Sequence, residues 1–150
     1  MEIKKVLKED LEKLIPSFKK AFNESEWNQR WTDESVRISL TNIFDFPHFY
    51  GLIAIKEGVP VGAILGHVQT FNDGKTYYIE ELFVDPIFQK QGIAKALYGD
   101  AIRELKKLGV SGAFFTTLTN SSAYDFYKSQ GAIHLEDSAV FYHPYLINSI

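Results

Sequence analysis

Cysteine is absent from this 150-residue sequence, and methionine occurs once. Without thiols the chain has neither a disulfide framework nor a thiolate zinc site, which is compatible with a reducing compartment. Long apolar runs are absent too, and none approaches the roughly 18 residues needed to span a bilayer. Residues 1–6 carry lysines with no apolar signal core behind them. We therefore expect a cytoplasmic protein with no membrane partner.

Neither sign of charge is in large excess. Sixteen basic and nineteen acidic residues give a net charge of -3. A protein that binds the phosphate backbone needs a concentrated basic face, so nucleic acid is not expected as a partner. The histidines, His48, His67, His134 and His143, are scattered without metal-ligand spacing, and a lone histidine is usually structural or at the surface. No metal is expected.

Apolar and aromatic residues are abundant, at 45% and 15% of the chain. A chain of this length buries about two-thirds of its unfolded surface in one core and is too short for two ordinary domains. We therefore expect a single domain over residues 1–150.

Apolar periodicity predicts both strands and helices. The predicted strands are residues 3–6, 50–56, 61–71, 76–84, 111–118, 132–136 and 139–142. The predicted helices are a region over 7–22 with a kink or break at Pro16, a helix from Asp33 that ends before Pro47, and helices over 92–108 and 121–130. Short turns join the three central strands as antiparallel hairpins. Strands and helices alternate only in the second half, so the predicted fold class is α+β with a mixed sheet.

The junction between the strand 76–84 and the helix 92–108 is the best candidate for a binding loop. A helix N-terminus presents unpaired N–H groups and the positive end of its dipole, which favours a phosphate or pyrophosphate. Gly92 would let the ligand approach the backbone, with Lys90 and Lys95 at the rim. Alone, one loop glycine is more often part of an ordinary turn. Nucleotide-hydrolase and dinucleotide loops are disfavoured, because the Gly-Lys-Ser/Thr and the additional glycines are missing.

Two linked motifs resemble the GNAT (Gcn5-related N-acetyltransferase) family. Gln89, Gly92 and Ala94 match its signature Arg/Gln-x-x-Gly-x-Gly/Ala, with Gln in place of the commoner Arg. Downstream, residues 120–131 resemble the family's Asn-x-x-Ala-x-x-Phe/Leu-Tyr-x-x-x-Gly helix. Ala132 departs from the usual Phe after that glycine. The order of elements also matches, so the resemblance covers essentially the whole chain, although residues 1–71 match only in pattern.

The resemblance implies a GNAT-like fold, in which an antiparallel meander is followed by a β-α-β-α unit with a splayed strand pair. It also implies acetyl-CoA as cosubstrate. In the family, the strand before the signature leaves backbone groups free for the pantetheine arm, and here an N–H near Val84 would stabilise the oxyanion. The residues that the resemblance assigns to the cofactor are Leu82, Phe83, Val84, Gln89, Lys90, Gln91, Gly92, Ile93, Ala94, Lys95, Asn120 and Tyr124.

Direct transfer to an alkyl amine, with a pKa near 10.4, requires removal of a proton. Glu80 and Glu81 are the candidate bases, and strand alternation puts them on opposite faces unless the strand bulges. We prefer Glu80, which lies four residues before Val84, because related polyamine and aminoglycoside acetyltransferases often carry an acidic residue at that position. Tyr127 matches the family's general acid for the coenzyme A thiolate, and Tyr124 could substitute for it. The structural alternatives are solvated strand carboxylates and amphipathic-helix tyrosines, and for Asn120 an N-cap.

We therefore expect an N-acetyltransferase that acts on a primary amine, such as a polyamine or an aminoglycoside-like compound. The residues that suit a cationic amine are Glu24, Glu26, Asp33, Glu34 and Asp45 beside Trp27, Trp31, Phe46, Phe49 and Tyr50. A solvated helix pair with ordinary core aromatics is the alternative there. For the whole chain, the alternatives are a protein lysine or N-terminal acetyltransferase and a non-catalytic acyl-CoA-binding module. We also expect the apolar stretch 139–150 to contribute to a homodimer, with an ordinary edge strand as the alternative.

Overall fold

The computed structural model describes residues 1–144, which belong to two compact units, Met1–Thr116 and a second that begins at Thr117. The first unit contains β1 (Glu2–Lys5), α1 (Asp10–Asn23), α2 (Asp33–Phe44), β2 (Phe49–Lys56), β3 (Val59–Phe71), β4 (Gly74–Val84), a 3-10 helix (Pro86–Phe88), α3 (Ile93–Lys107) and β5 (Val110–Phe114). The second contains α4 (Ser122–Ser129). That the two units form one domain stays a prediction.

The strands of the first unit form one mixed sheet in the order β1-β2-β3-β4-β5. The first four strands are antiparallel to their neighbours, whereas β5 is parallel to β4. The turn between β2 and β3 contains Glu57 and Gly58 at φ 52° and 78°, the positive values that a tight two-residue hairpin turn requires. The predicted meander and the predicted α+β class with a mixed sheet are confirmed.

Helices cover both faces of this sheet. On the face that we call the α3 face, Leu97 and Leu105 of α3 are buried against Ile64 and Tyr77 of the sheet. On the opposite face, the α1/α2 face, the buried residues are Val6, Leu11, Leu14, Ile15, Phe18, Ala21, Val36, Leu40, Ile53, Ala63, Leu65 and Phe83. Ala63 and Leu65 lie on this second face while Ile64 lies on the first, as strand alternation requires. The sheet is therefore apolar on both sides.

Helix α1 continues through Pro16 without a break. A proline inside a helix removes one backbone donor and usually costs about 3 kcal/mol. The residues around it, Leu14, Ile15 and Phe18, are almost completely buried. Their burial holds the helix on the sheet, and the expected break does not occur. Within residues 1–144, no helix combines the length and the apolarity that crossing a bilayer demands.

The predicted strands at 132–136 and 139–142 are wrong, because residues 130–144 contain no strand. Ile133 and Val140 are 83% and 80% exposed there. An alternating pattern indicates only that a segment is able to pair, and a strand needs a neighbouring strand to bond with. For the same reason the strand predicted over 111–118 is the shorter β5, which pairs with β4 only along Lys75–Tyr78.

Candidate active site

Strand β4 carries one extra residue at Glu80. Its neighbours Ile79 and Glu81 lie opposite Gly66 and Leu65, which are consecutive in β3, so Glu80 has no partner of its own. This is a β-bulge. Gly66 makes it possible, because a Cβ added at this glycine would lie 2.1 Å from the carbonyl oxygen of Tyr78.

The bulge places both glutamates on the α1/α2 face. Glu81 lies opposite Leu65, which is buried in the core of that face, and directly opposed residues share a face. Tyr78 lies opposite His67, two residues after Leu65, so Tyr78 and His67 share that face as well. Glu80 follows Tyr78 by two residues. Regular strand alternation predicts the two glutamates on opposite faces of β4, and the extra residue explains why both lie on the α1/α2 face.

The two carboxyl groups lie in different environments. Burial raises the pKa of Glu81 to about 8, and the negative charge of Glu80 adds to the rise. The Glu80 side chain is 36% exposed, and its Oε1 lies 3.8 Å from Nδ1 of His67. One group therefore keeps its proton through neutral pH, while the other remains accessible to solvent.

His67 is the residue that sequence reasoning missed. It is 4% exposed, and its ring lies 4.0 Å from that of Phe46 and 5.6 Å from that of Tyr78, between centroids. Strand alternation alone would have placed it on the face of Leu65. Nothing in the local sequence indicates that the bulge would bring Glu80 beside it.

Beyond the short pairing with β5, one edge of β4 is open. Among the described residues, no strand pairs with residues 79–84 on that side. The Asp85 N–H donates to the Val61 carbonyl at 2.8 Å, so alternate residues direct their backbone groups toward β3. Leu82 and Val84 therefore direct theirs to the open edge, where the Gln89 side chain donates to the Val84 carbonyl at 3.1 Å. The backbone N–H and carbonyl of Phe83 point toward β3, and its ring packs against that of Phe18 at 5.1 Å between centroids.

The loop before α3 leaves open space beside its backbone at Gly92. Gly92 caps the helix at φ 82°, and a Cβ added there would meet no atom within 4 Å. Lys90 is also left-handed, at φ 63°, a conformation that costs a non-glycine residue energy. The Lys56 ammonium donates to the Gln91 side chain at 2.7 Å and so ties the loop to the end of β2. The loop thus leaves room beside free N–H groups for an anionic group.

The other residues predicted in this loop differ in exposure. Ile93 is 3% exposed, so only its backbone N–H is available to a ligand. Ala94 is half-buried against the α3 core, whereas the Lys95 side chain is exposed. These placements fit a phosphate group held by backbone donors with lysines at the rim, and the individual contacts stay predictions.

In the second unit, Ser121 rather than Asn120 caps α4, and its hydroxyl accepts from the Tyr124 N–H at 3.2 Å. The Tyr124 hydroxyl lies 3.1 Å from Nδ1 of His134. Tyr127 is half-buried, with its ring 5.4 Å from that of Phe126 between centroids. The alternative prediction that Asn120 is the N-cap is therefore wrong. The roles assigned to these residues stay predictions.

Part of the acidic set near α1 and α2 is engaged in surface ion pairs. Asp33 accepts from the Lys19 ammonium at 2.9 Å, and this hydrogen bond lowers the pKa of the Asp33 carboxyl. Glu34 accepts from Arg37 at 2.8 Å. The solvated helix pair therefore describes these two residues better than amine recognition. Glu80 and Glu81 add two carboxyl groups to the α1/α2 face, and the role predicted for Glu24, Glu26 and Asp45 stays a prediction.

Comparison with known proteins gives one family and a set of similar folds. The model of the family described as Acetyltransferase (GNAT) family matches residues 12–132. Comparison with curated proteins finds no match. An integron cassette protein from V. cholerae superposes with a TM-score of 0.81 and 18% identity, covering 99% of this chain and 95% of its own.

Two aminoglycoside acetyltransferases have the same fold. AAC(6')-Iy, solved in complex with CoA, has a TM-score of 0.74 and 22% identity, covering 95% of this chain and 93% of its own. The enzyme meta-AAC0020, from an uncultured soil metagenomic sample and solved with sisomicin, has a TM-score of 0.71 and 24% identity, covering 95% and 94%. At these identities the likeness shows the fold alone.

We predict that Gly92→Glu abolishes the rise in melting temperature caused by acetyl-CoA. A ligand that binds only the folded state stabilises it by about 2.7 kcal/mol at 100 times its Kd. A glutamate at Gly92 would fill the open space and repel phosphate. Gly109→Glu is the matched control, since Gly109 has φ 86°, no atom within 4 Å of an added Cβ, and a place at the far end of α3. Thermal unfolding with and without acetyl-CoA measures both, and equal shifts would contradict the loop assignment.

A second prediction concerns Glu81, whose folded-state pKa of about 8 lies above the ordinary glutamate value of 4.5. A raised pKa contributes stability that is complete below pH 4.5 and is lost as pH rises toward 8. Glu81→Gln should therefore gain stability relative to wild type between pH 5 and 9. The gain is below about 1.4 kcal/mol per pH unit, because the side chain is half-buried and solvent screens it. Urea unfolding across pH measures it, with Glu57→Gln as exposed control, and parallel pH profiles would refute the shift.

Proposed function

The chain belongs to the acetyltransferase (GNAT) family, and we propose that it transfers the acetyl group of acetyl-CoA to a primary amine. The family predicted from the two motifs is confirmed, and with it acetyl-CoA as cosubstrate. The observation that carries the proposal for the amine is the bulge at Glu80, which puts two carboxyl groups on one face of β4. The backbone of the same strand is open at Leu82 and Val84 on one edge.

The proposed reaction is a direct transfer. The neutral amine nitrogen attacks the thioester carbonyl, the C–S bond breaks, and the amine loses a proton. Backbone N–H groups aimed at a developing oxyanion typically contribute about 3 kcal/mol. The open edge at Val84 supports this role, because an N–H that bonds to no neighbouring strand is free to bond to substrate.

We propose Glu80 as the base that takes the amine proton. A group that already holds a proton cannot accept another, and the raised pKa of Glu81 keeps that carboxyl protonated at neutral pH. Glu80 is accessible to water, so it is able to pass the proton on. Glu81 becomes competent as the pH rises above about 8, and it is the second candidate. A base in this position typically contributes about 10²- to 10⁴-fold in rate.

Tyr127 is the proposed acid for the departing thiolate. Its assignment is supported by the resemblance of residues 120–131 to the family's Asn-x-x-Ala-x-x-Phe/Leu-Tyr-x-x-x-Gly helix. A phenol is neutral near pH 7 and is able to donate its proton. Tyr124, with its hydroxyl near His134, is the alternative donor.

The proposed acceptor is a small cationic amine, such as a polyamine or an aminoglycoside-like compound. At neutral pH the Glu80 carboxylate carries the negative charge of this pair, and that charge favours a cationic ligand. Aromatic rings share their face of the sheet, since His67 lies against Phe46 and Tyr78. A cation placed at a ring face gains about 0.5–2 kcal/mol.

An acceptor screen with detection of released coenzyme A tests the proposal. The arms are polyamines, aminoglycosides, a lysine-containing peptide and a peptide with a free N-terminus. Turnover with the small polycationic amines alone supports the proposal. Turnover with peptides alone replaces it by a protein acetyltransferase, and the absence of turnover in every arm despite acetyl-CoA binding replaces it by an acyl-CoA-binding module.

We predict that Tyr127→Phe lowers kcat by about 10²- to 10⁴-fold on the amine found by the screen, because it deletes the proton donor and keeps the ring. Steady-state kinetics measures this, and thermal unfolding confirms that acetyl-CoA still binds. Tyr124→Phe, three residues away on the same helix, tests the alternative donor, and a larger loss of kcat there than in Tyr127→Phe would assign the role to Tyr124. A kcat for Tyr127→Phe equal to that of wild type would remove Tyr127 from the mechanism.

The homodimer and the cytoplasmic location stay predictions. Of the stretch 139–150, residues 145–150 lie outside the described residues. In the described part of this stretch, residues 139–144, the side chains of Val140, Phe141 and Tyr142 are 80%, 91% and 74% exposed, which supports an apolar contact surface. A monomeric mass in solution at micromolar concentration would count against the dimer.

A further inference from the structure

His67 is a buried polar residue for which the proposed reaction has no use. At 4% exposure, its Nδ1 has no hydrogen-bond partner among the described residues. A buried polar atom without a partner costs about 1–3 kcal/mol, so its presence calls for an explanation. The charged group nearest to this nitrogen is the Glu80 carboxylate, whose Oε1 lies 3.8 Å away.

The other ring nitrogen determines which tautomer is present. Nε2 of His67 lies 2.9 Å from the side-chain nitrogen of Gln69. An amide nitrogen only donates, so the imidazole Nε2 must accept and the proton of the neutral ring lies on Nδ1. The ring therefore presents an N–H donor on the side of Glu80. Gln69, two residues along β3, selects that tautomer.

The ring is also held more firmly than the carboxylate. It stacks on Phe46 at 4.0 Å between centroids, with Tyr78 on the neighbouring strand at 5.6 Å. Glu80 is partly exposed on a bulge that pairs with no residue of β3. A rotation of the Glu80 side chain would shorten 3.8 Å to a hydrogen bond near 2.8 Å, typical of a charge-assisted pair. The buried His67 imidazole therefore determines the position that the partly exposed Glu80 carboxylate takes when it forms this hydrogen bond.

We propose that His67 is a positioning residue for the amine site, in which its Nδ1–H orients the Glu80 carboxylate to receive the proton of the acceptor. The inference rests on the proposed function, since Glu80 is the base there. Gln69 belongs to the same device, because it keeps the proton on Nδ1. The sequence Glu80, His67, Gln69 then forms a chain of donors and acceptors across two adjacent strands.

The test is a double-mutant cycle between His67→Phe and Glu80→Gln. Phenylalanine keeps the stacking ring and removes both nitrogens. In the wild-type background we expect kcat/KM for the amine to fall about 10- to 100-fold, the loss of one hydrogen bond to a charged group. In the Glu80→Gln background, measured at the same neutral pH, where Glu81 is still protonated, the same substitution should change kcat/KM less than about twofold. The acetyl-CoA-induced shift in melting temperature should not change in either.

Two further variants separate positioning from packing. His67→Asn places an amide nitrogen near the position of Nδ1 and should retain most of the rate that His67→Phe loses. Gln69→Leu frees the tautomer and should lower kcat/KM several-fold, again only when Glu80 is present; it also tests the inference if His67→Phe does not fold.

The inference and the proposed function fail in different ways. If wild type transfers no acetyl group to any amine, the proposed function fails first. If wild type is active and His67→Phe keeps kcat/KM within about twofold, the inference is overturned. Equal losses in the wild-type and Glu80→Gln backgrounds would also overturn it, because they would show that His67 acts through packing rather than through Glu80.

Discussion

One extra residue in β4 decides the arrangement of the candidate site. The bulge at Glu80 turns two sequence-adjacent carboxyl groups to the same face, where strand alternation would have separated them. It depends on Gly66, since a side chain on the opposite strand would collide with the Tyr78 carbonyl. Because of the bulge, Glu80 has no partner in β3, and two ionisable groups lie on the same face as His67.

The same bulge shifts the rest of β4 relative to the core. Ile79 before it and Leu82 after it both contribute to the α3 face, although they are three residues apart. Phe83 consequently packs on the α1/α2 face, against Phe18 and Phe22. The chemistry of Glu80 and Glu81 and the packing of the strand end are therefore consequences of one register change. A substitution that removed the bulge would move every later side chain of the strand to the other face.

The loop before α3 is coupled to β4 by side chains rather than by strand pairing. Gln89 holds the Val84 carbonyl, and Lys56 holds Gln91 from the end of β2. Lys20 of α1 lies 3.9 Å from Asp85, which caps the 3-10 helix. These contacts fix the loop against the sheet, while the space beside Gly92 stays open. An anionic ligand there would meet donors already in place, so little ordering would oppose its binding.

The local sequence determined the elements whose signals lie within a few residues. Apolar periodicity with Gly109 as the stop predicted α3 to within one residue at each end, because helix patterning acts at short range. The family was predicted from the resemblance of two linked motifs, the loop around Gly92 and residues 120–131. Tertiary structure decided where pairing partners were needed. The apolar pattern of residues 132–142 predicts two strands, but strands form only beside another strand, and none pairs with this segment in residues 1–144. The faces of Glu80 and Glu81 and the partner of His67 depend on how β3 and β4 align, since a one-residue change of register reverses every side chain and no local pattern encodes it.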